Sequence, residues 1–351
     1  MLRLRRSKWT YGFGAGALCI LLACAAWAAS PWPSLITFRT LMDAGGAMLD
    51  SGLAKSVPKG IRAETDIVYD TASDDARFDM YRPEAAGAKP LPAIIWVHGG
   101  GYIAGSKSQV GNYMKILAGK GYAALALDYT LAPAAKYPEP VRQVAQALRF
   151  VSENAGRLQI DASRLVLAGD SAGAQIAAQV AAVISVPEYA HRMGIAEPIP
   201  RAHLRGLVLF CGVFDPGLTQ NAAQYESFLR VASDAYFGVP DFSTDPRRDE
   251  YSIVANVTSA FPPLFVSAGN DDPLLAHSRK LVSVAQSKGV KVDALFFPDR
   301  RRPALPHEYQ FYLDDAGRLA LARVEAFLKT ATALSAPPAK VGINMAAPPP
   351  R

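Results

Sequence analysis

Cysteine is scarce: three occur in the 351 residues, and two of them, Cys19 and Cys24, fall inside an N-terminal apolar run. Only Cys211 is left in the body of the chain, which excludes an internal disulfide framework and a cysteine-based metal site there. No His-Glu-x-x-His occurs either, so neither a metal nor any other cofactor is expected. Charge is sparse too, at 19% of residues against 50% hydrophobic ones, a balance suited to a sizeable buried core and not to disorder. The formal net charge of +6 includes four positive side chains, Arg3, Arg5, Arg6 and Lys8, at the start of the chain. The rest is nearly balanced, so nucleic-acid binding has no support.

That basic cluster precedes an uncharged, largely apolar run from Trp9 to Ala29, about long enough as a helix to cross a hydrocarbon layer of roughly 30 Å. Positive charge ahead of such a run keeps the N-terminus in the cytoplasm and sends the downstream chain to the far side. Ala26-Trp27-Ala28 fits a small-x-small cleavage site, whereas the length suits a retained membrane anchor; both stay open. Leu21-Leu22-Ala23-Cys24 fits a lipoprotein signal less well. The expected organisation is a signal peptide or anchor over 1–33, a small helical cap over 34–60 built from short helices, a catalytic domain over 61–334 and a flexible Pro/Ala-rich tail over 335–351.

From Ile61 onward, strand-like and helix-like stretches alternate. Strands are expected around 65–69, 77–81, 93–98, 123–129, 165–169, 204–211, 263–268 and 290–297. Helices are expected near 111–119, 140–155, 172–184, 276–288 and 316–334. Two early strands without an intervening helix, followed by β-α repetition, predict a mostly parallel eight-stranded sheet with helices on both faces.

The chemistry centres on Gly169-Asp170-Ser171-Ala172-Gly173. The run Arg164–Ala168 before it is short and β-prone, and the Ala-rich run after it is amphipathic, so Ser171 falls on a strand-to-helix turn with its hydroxyl raised. Acyl transfer by such a serine needs a base, a carboxylate to orient the base, and donors for the oxyanion. The strand Ala93–Val97 runs into His98-Gly99-Gly100-Gly101, whose glycines leave backbone N–H groups uncovered. After the strand Leu264–Ala268 come two neighbouring carboxylate candidates, Asp271 and Asp272. Of five histidines, His98 lies in the glycine loop, His191 and His203 precede the acid, and His277 follows it by only a helical turn. His307 remains, beyond the last strand.

These motifs resemble the hormone-sensitive-lipase-like group of α/β-hydrolase esterases. The matching residues are His98–Tyr102, Asp128–Pro133 followed by Tyr137-Pro138, Gly169–Gly173 and Asp272-Pro273-Leu274, with coverage from about Ile61 to Leu334. The resemblance implies an α/β-hydrolase fold, Ser171 as nucleophile, His307 as base, Asp272 as its carboxylate partner, and the N–H groups of Gly100, Gly101 and Ala172 as oxyanion donors. It also implies that His98 braces its loop without transferring protons. Tyr102 and Asp170 are the expected substrate contacts, and the segment 210–242 is expected over the site. The reaction expected is hydrolysis of small-to-medium acyl esters, acetyl esters included, with an amidase or peptidase on the same scaffold, or a non-catalytic binding protein, as the alternatives. The sequence departs from the group's His-Gly-Phe at His307-Glu308-Tyr309. Arg300, Arg301 and Arg302, in the loop leading to His307, read as a solvated loop or as a site for an anionic group.

Overall fold

The computed structural model describes residues 8–29, 32–218, 225–242 and 245–333. Its eight strands are β1 (Ile61–Val68), β2 (Arg77–Pro83), β3 (Leu91–Val97), β4 (Ala123–Leu127), β5 (Ile160–Asp170), β6 (Leu204–Phe210), β7 (Leu264–Ser267) and β8 (Val292–Leu295). They form one sheet in the order β1-β2-β4-β3-β5-β6-β7-β8. The β1/β2 and β2/β4 pairs are antiparallel, and every later pair is parallel. Parallel strands need crossovers, and the crossovers carry helices onto both faces. β3 shows why its sequence reads as an unbroken apolar run: Ala93, Ile95 and Val97 point into one core and Ile94 and Trp96 into the other.

Twelve α-helices fall among the described residues. The first two, α1 (Lys8–Ala29) and α2 (Trp32–Leu53), precede the sheet, and α3 (Gly111–Ala118) packs beneath β4. α4 (Glu139–Glu153) starts with Pro140 in its first turn and buries Val141, Val144, Ala145, Leu148 and Val151 along one face. The next three are α5 (Ala155–Leu158), α6 (Ser171–Ser185) and α7 (Pro187–Met193), followed by α8 (Glu226–Phe237), α9 (Arg248–Tyr251) and α10 (Ile253–Asn256). The last two are α11 (Leu275–Ser287) and α12 (Asp315–Ala331). The Asp314 carboxylate caps α12 by accepting the Gly317 N–H at 2.9 Å. α4, α6 and α11 cover one face of the sheet, α3 and α12 the other.

The region expected to hold short helices after Pro33 is instead the single 22-residue α2, followed by one 3-10 turn at Ala54–Ser56. Gly45 and Gly46 lower helix propensity without breaking it, and the helix is held from outside by tertiary bonds. Arg39 donates to the carbonyls of Ile103 and Ala132. The Asp43 carboxylate accepts the Gly105 N–H at 2.8 Å, and Asp50 accepts the backbone and side-chain N–H groups of Asn112 at 2.7 and 2.8 Å. α2 thus lies against the loop beyond the glycine run and is fixed to it.

α1 exposes Leu18, Ile20, Leu21, Leu22 and Trp27. Among the described residues no helix is long and apolar enough to cross a membrane, so the expected anchor finds no support. Arg3, Arg5, Arg6 and the tail over 335–351 lie outside the described residues.

The Asp50–Asn112 contact is the tie nearest the C-terminal end of α2. Asn112→Ala is expected to destabilise the protein by about 1–2 kcal/mol. Amide hydrogen exchange should accelerate across 32–53 ahead of the central strands; uniform exchange in the two regions would show that α2 is held elsewhere.

Candidate active site

β5 ends at Asp170 and α6 begins at Ser171, which takes a left-handed backbone conformation with φ of +49°. A non-glycine residue there stores strain, and the turn survives because the chain around it is pinned. Gly173 packs so closely on the end of β3 that a Cβ at that position would collide with the carbonyl oxygens of Val97 and His98. That close approach lets the turn reverse tightly and lifts the Ser171 hydroxyl above the sheet.

The hydroxyl meets His307. Its Oγ lies 3.0 Å from His307 Nε2, and His307 Nδ1 lies 3.0 Å from both carboxylate oxygens of Asp272. The Asp272 side chain is fully buried, and its Oδ1 also accepts the Leu274 N–H at 2.7 Å. Asp271 is exposed on the same loop, and its backbone N–H donates to the Leu305 carbonyl. Asn270 holds the histidine loop in turn: its Oδ1 accepts the Leu305 N–H at 2.9 Å and its Nδ2 donates to the carbonyls of Asp299 and Arg301. The acid loop and the base loop are therefore one packed unit. His277 is buried elsewhere, with Nδ1 accepting the Asp215 N–H at 3.2 Å.

Burial disfavours the charged form of His307, yet the hydrogen-bonded Asp272 beside it outweighs that and holds the imidazole above its usual value. The Cys211 thiol is itself pushed up to about 12 by burial, so it is neutral near pH 7. Asp272 is then the anion that stabilises imidazolium. The donor atoms of Cys211, Asp272 and His307 lie within 4.8 Å of one another. An ion there would have to displace the Asp272–His307 hydrogen bond and deprotonate a resistant thiol.

Gly100 and Gly101 have φ of +106° and +58°, conformations open to glycine at little cost. Among the described residues neither N–H is spent on an intramolecular acceptor, and Ala172 sits in the first turn of α6, where backbone donors have no helical partner. His98 is buried, donates from Nδ1 to the Gly99 carbonyl at 2.7 Å and stacks on Tyr129 with ring centroids 4.5 Å apart. Burial lowers its pKa, which suits a neutral brace.

Asp170, an expected substrate contact, is corrected by the structure. It is 3% exposed, with Oδ1 accepting the Trp96 indole N–H at 2.7 Å and Oδ2 the Gly99 N–H at 2.8 Å. Its side chain faces the sheet and the glycine loop and is not part of the wall of the larger cavity that Tyr102 lines. Tyr102 does line a cavity of about 560 Å³, together with Val213, Leu229, Phe237, Phe242 and Tyr251. Its ring stacks on Tyr236 at 3.9 Å and its hydroxyl bonds that of Tyr251 at 2.6 Å. α8 supplies part of this wall from within 210–242, and its Phe228 packs directly on Gly101. Residues 219–224 of that segment lie outside the described residues. Arg301 and Arg302 donate to carbonyls of their own loop, and Arg301 lies over the Phe297 ring.

Sequence reasoning does not single out Cys211, Glu308 or the α2 residues Arg39 and Asp43 for the site. The odd Glu308 in the histidine motif is the one available signal. Cys211 should resist iodoacetamide in the folded protein and react only after unfolding, whereas Cys19 and Cys24 are exposed and should react at once. Mass spectrometry of the alkylated sites checks this, and fast labelling of Cys211 would contradict its burial.

A family model described as an alpha/beta hydrolase fold matches residues 94–304, well over half of the chain. Among solved structures, the chain is similar to esterase B from Lactobacillus rhamnosis, at 22% identity over 85% of this chain and 96% of that one, with a TM-score of 0.73. An esterase from Pyrobaculum calidifontis matches at 22% identity over 85% and 94%, with a TM-score of 0.68. A Rhizomucor miehei esterase matches at 22% identity over 85% and 91%, with a TM-score of 0.66. At that identity these likenesses establish the fold. With the family matched over most of its sheet and the esterase motifs in their order, the chain belongs to the α/β-hydrolase family, in its hormone-sensitive-lipase-like group.

Proposed function

We propose that this protein is a serine carboxylesterase that hydrolyses small-to-medium acyl esters through a Ser171–His307–Asp272 triad. The observation that carries the reading is the continuous hydrogen-bonded chain from Ser171 Oγ through both ring nitrogens of His307 to Asp272. His307 Nε2 takes the hydroxyl proton as Ser171 attacks the ester carbonyl, and Asp272 holds Nδ1–H and with it the tautomer that leaves Nε2 free to accept. The N–H groups of Gly100, Gly101 and Ala172 hold the tetrahedral oxyanion. Collapse expels the alcohol, which takes its proton from His307. Water then attacks the acyl-enzyme with His307 again as base, releasing the acid and restoring Ser171.

The esterases named above are consistent with this class of substrate, and the cavity of about 560 Å³ that Tyr102 lines has room for a short or medium acyl or alcohol group. Val213, Leu229, Phe237 and Phe242 give it an apolar wall suited to a hydrocarbon portion, and Glu226, Arg230 and Asp241 also line it. We also infer that 61–334 is the catalytic unit, as the limits of the sheet and α12 support, and that it works outside the cytoplasm. The basic residues ahead of the apolar run Trp9–Ala29 support export; cell fractionation of the full chain tests it.

Ser171→Ala should lower kcat on a nitrophenyl acyl ester by about 10⁴-fold or more and abolish fluorophosphonate labelling. Equal turnover by the purified variant would end the proposal. Only neutral His307 can accept the serine proton, so activity must rise as pH rises through its pKa. Because that pKa is held above 6.5, the acid limb of kcat/KM should have its midpoint above 6.5. Asp272→Asn should lower kcat by about 10⁴-fold, as loss of the orienting carboxylate does in the serine-protease template.

A further inference from the structure

The two residues that adjoin the nucleophile and the base in sequence, Asp170 and Glu308, come together in space. Asp170 is buried, and its carboxyl group and that of Glu308 meet beside Gly99. Glu308 Oε1 lies 3.7 Å from His307 Nε2, and a Cβ placed on Gly99 would touch both carboxyl groups. Two carboxyl groups can form a hydrogen bond only when one of them carries a proton. The alternative, two carboxylates in contact with one of them buried, is strongly disfavoured.

We propose that Asp170 and Glu308 share one proton as a carboxyl pair, and that this bond positions His307 against Ser171, with Glu308 as a positioning residue. The inference rests on the esterase reading. Its geometry is a second tie between the serine turn and the histidine loop: Asp272 holds the imidazole at Nδ1, and the Asp170–Glu308 bond holds the backbone of the next residue. Glu308 has φ of +58°, a conformation that a glutamate adopts at a cost and that the bond compensates.

The surroundings support a single shared proton. Burial and the neighbouring Glu308 push the Asp170 carboxyl far above its ordinary range, against the lowering effect of the Trp96 hydrogen bond. The other titratable groups facing the pair are His98, kept neutral by burial; Tyr129, pushed far up; Cys211, pushed up to about 12; and His307 itself. A cavity of about 70 Å³, lined by both acids with Gln109, Gly46 and Met42 of the surrounding elements, gives the pair access to water for proton exchange. When the shared proton leaves, like charges repel beside His307. The Glu308 carboxylate then competes with Ser171 Oγ for Nε2 by favouring imidazolium. Activity must therefore fall on the alkaline side.

Infrared difference spectroscopy and pH profiles of the full chain test this. The wild type should show a protonated-carboxyl C=O band at neutral pH that disappears on alkaline titration. Its kcat should fall by about tenfold per pH unit beyond that point while KM changes little. Glu308→Gln keeps a polar partner for Asp170 but cannot lose a proton there, so it should lack the alkaline limb while retaining the acid limb. Persistence of the wild-type alkaline limb in Glu308→Gln, or absence of the band from the wild type, would overturn the proposal. Because the band is read on the wild type, the test holds even where a variant fails to fold. Failure of fluorophosphonate to label Ser171 would instead overturn the esterase reading and leave the infrared result to decide the carboxyl pair by itself.

Discussion

The geometry of the site depends on one buried carboxylate. Asp170 accepts hydrogen bonds from Trp96 at the end of β3 and from Gly99 in the glycine loop, 2.7 and 2.8 Å away. It therefore locks the end of β5, where the proposed nucleophile Ser171 follows, to the end of β3, where the glycine loop begins. Losing either donor would leave a polar group stranded in the core. Trp96 adds an apolar reason for the same alignment, since its ring packs edge-on against Tyr113, Phe210 and Phe311 from three other elements. The hydrogen bond fixes direction and the aromatic cluster fixes depth.

Around that lock, α2 acts as an external splint. Its bonds to the carbonyls of Ile103 and Ala132 and to the Gly105 N–H hold the chain on the far side of Gly100 and Gly101. Glycines are useful in an oxyanion loop because they bare their N–H groups, but the same freedom lets the loop wander. Fixing both ends, Gly99 through Asp170 and Gly105 through Asp43, restores the rigidity that transition-state stabilisation requires without covering the donors.

Much of this is legible in the sequence because the signals are local. The βα alternation, the strand-to-helix turn at Ser171, and the order of serine, acid and histidine can be read from neighbours along the chain. In the sequence, only resemblance separates Asp272 from Asp271; the structure separates them by burial. The illegible part depends on contacts between distant residues: Asp170 reaches across 74 positions to Trp96, and α2 reaches loops more than sixty residues away. An aspartate beside a nucleophile reads as a substrate contact when its direction is unknown. Its backbone at the end of β5 turns it inward instead. The continuity of α2 is hidden for a similar reason, since two adjacent glycines argue against a long helix until the bonds that hold it are seen.

The two carboxyl groups near His307 carry different demands. Asp272 must be anionic, and its setting serves that: a fully buried side chain that takes both the imidazole N–H and the Leu274 N–H. An anion on the opposite side, near Nε2, would work against the mechanism, because it would stabilise the imidazolium before Ser171 had given up its proton. This chain places an acid there, Glu308, in a motif where its relatives' pattern has glycine, and the proposed pairing with Asp170 limits the two acids to a single negative charge. Burial of one acid against the other is a direct physical way to do so, since losing the shared proton would put two like charges in contact. The same residue that departs from the family's pattern is thereby accommodated by the aspartate that belongs to it.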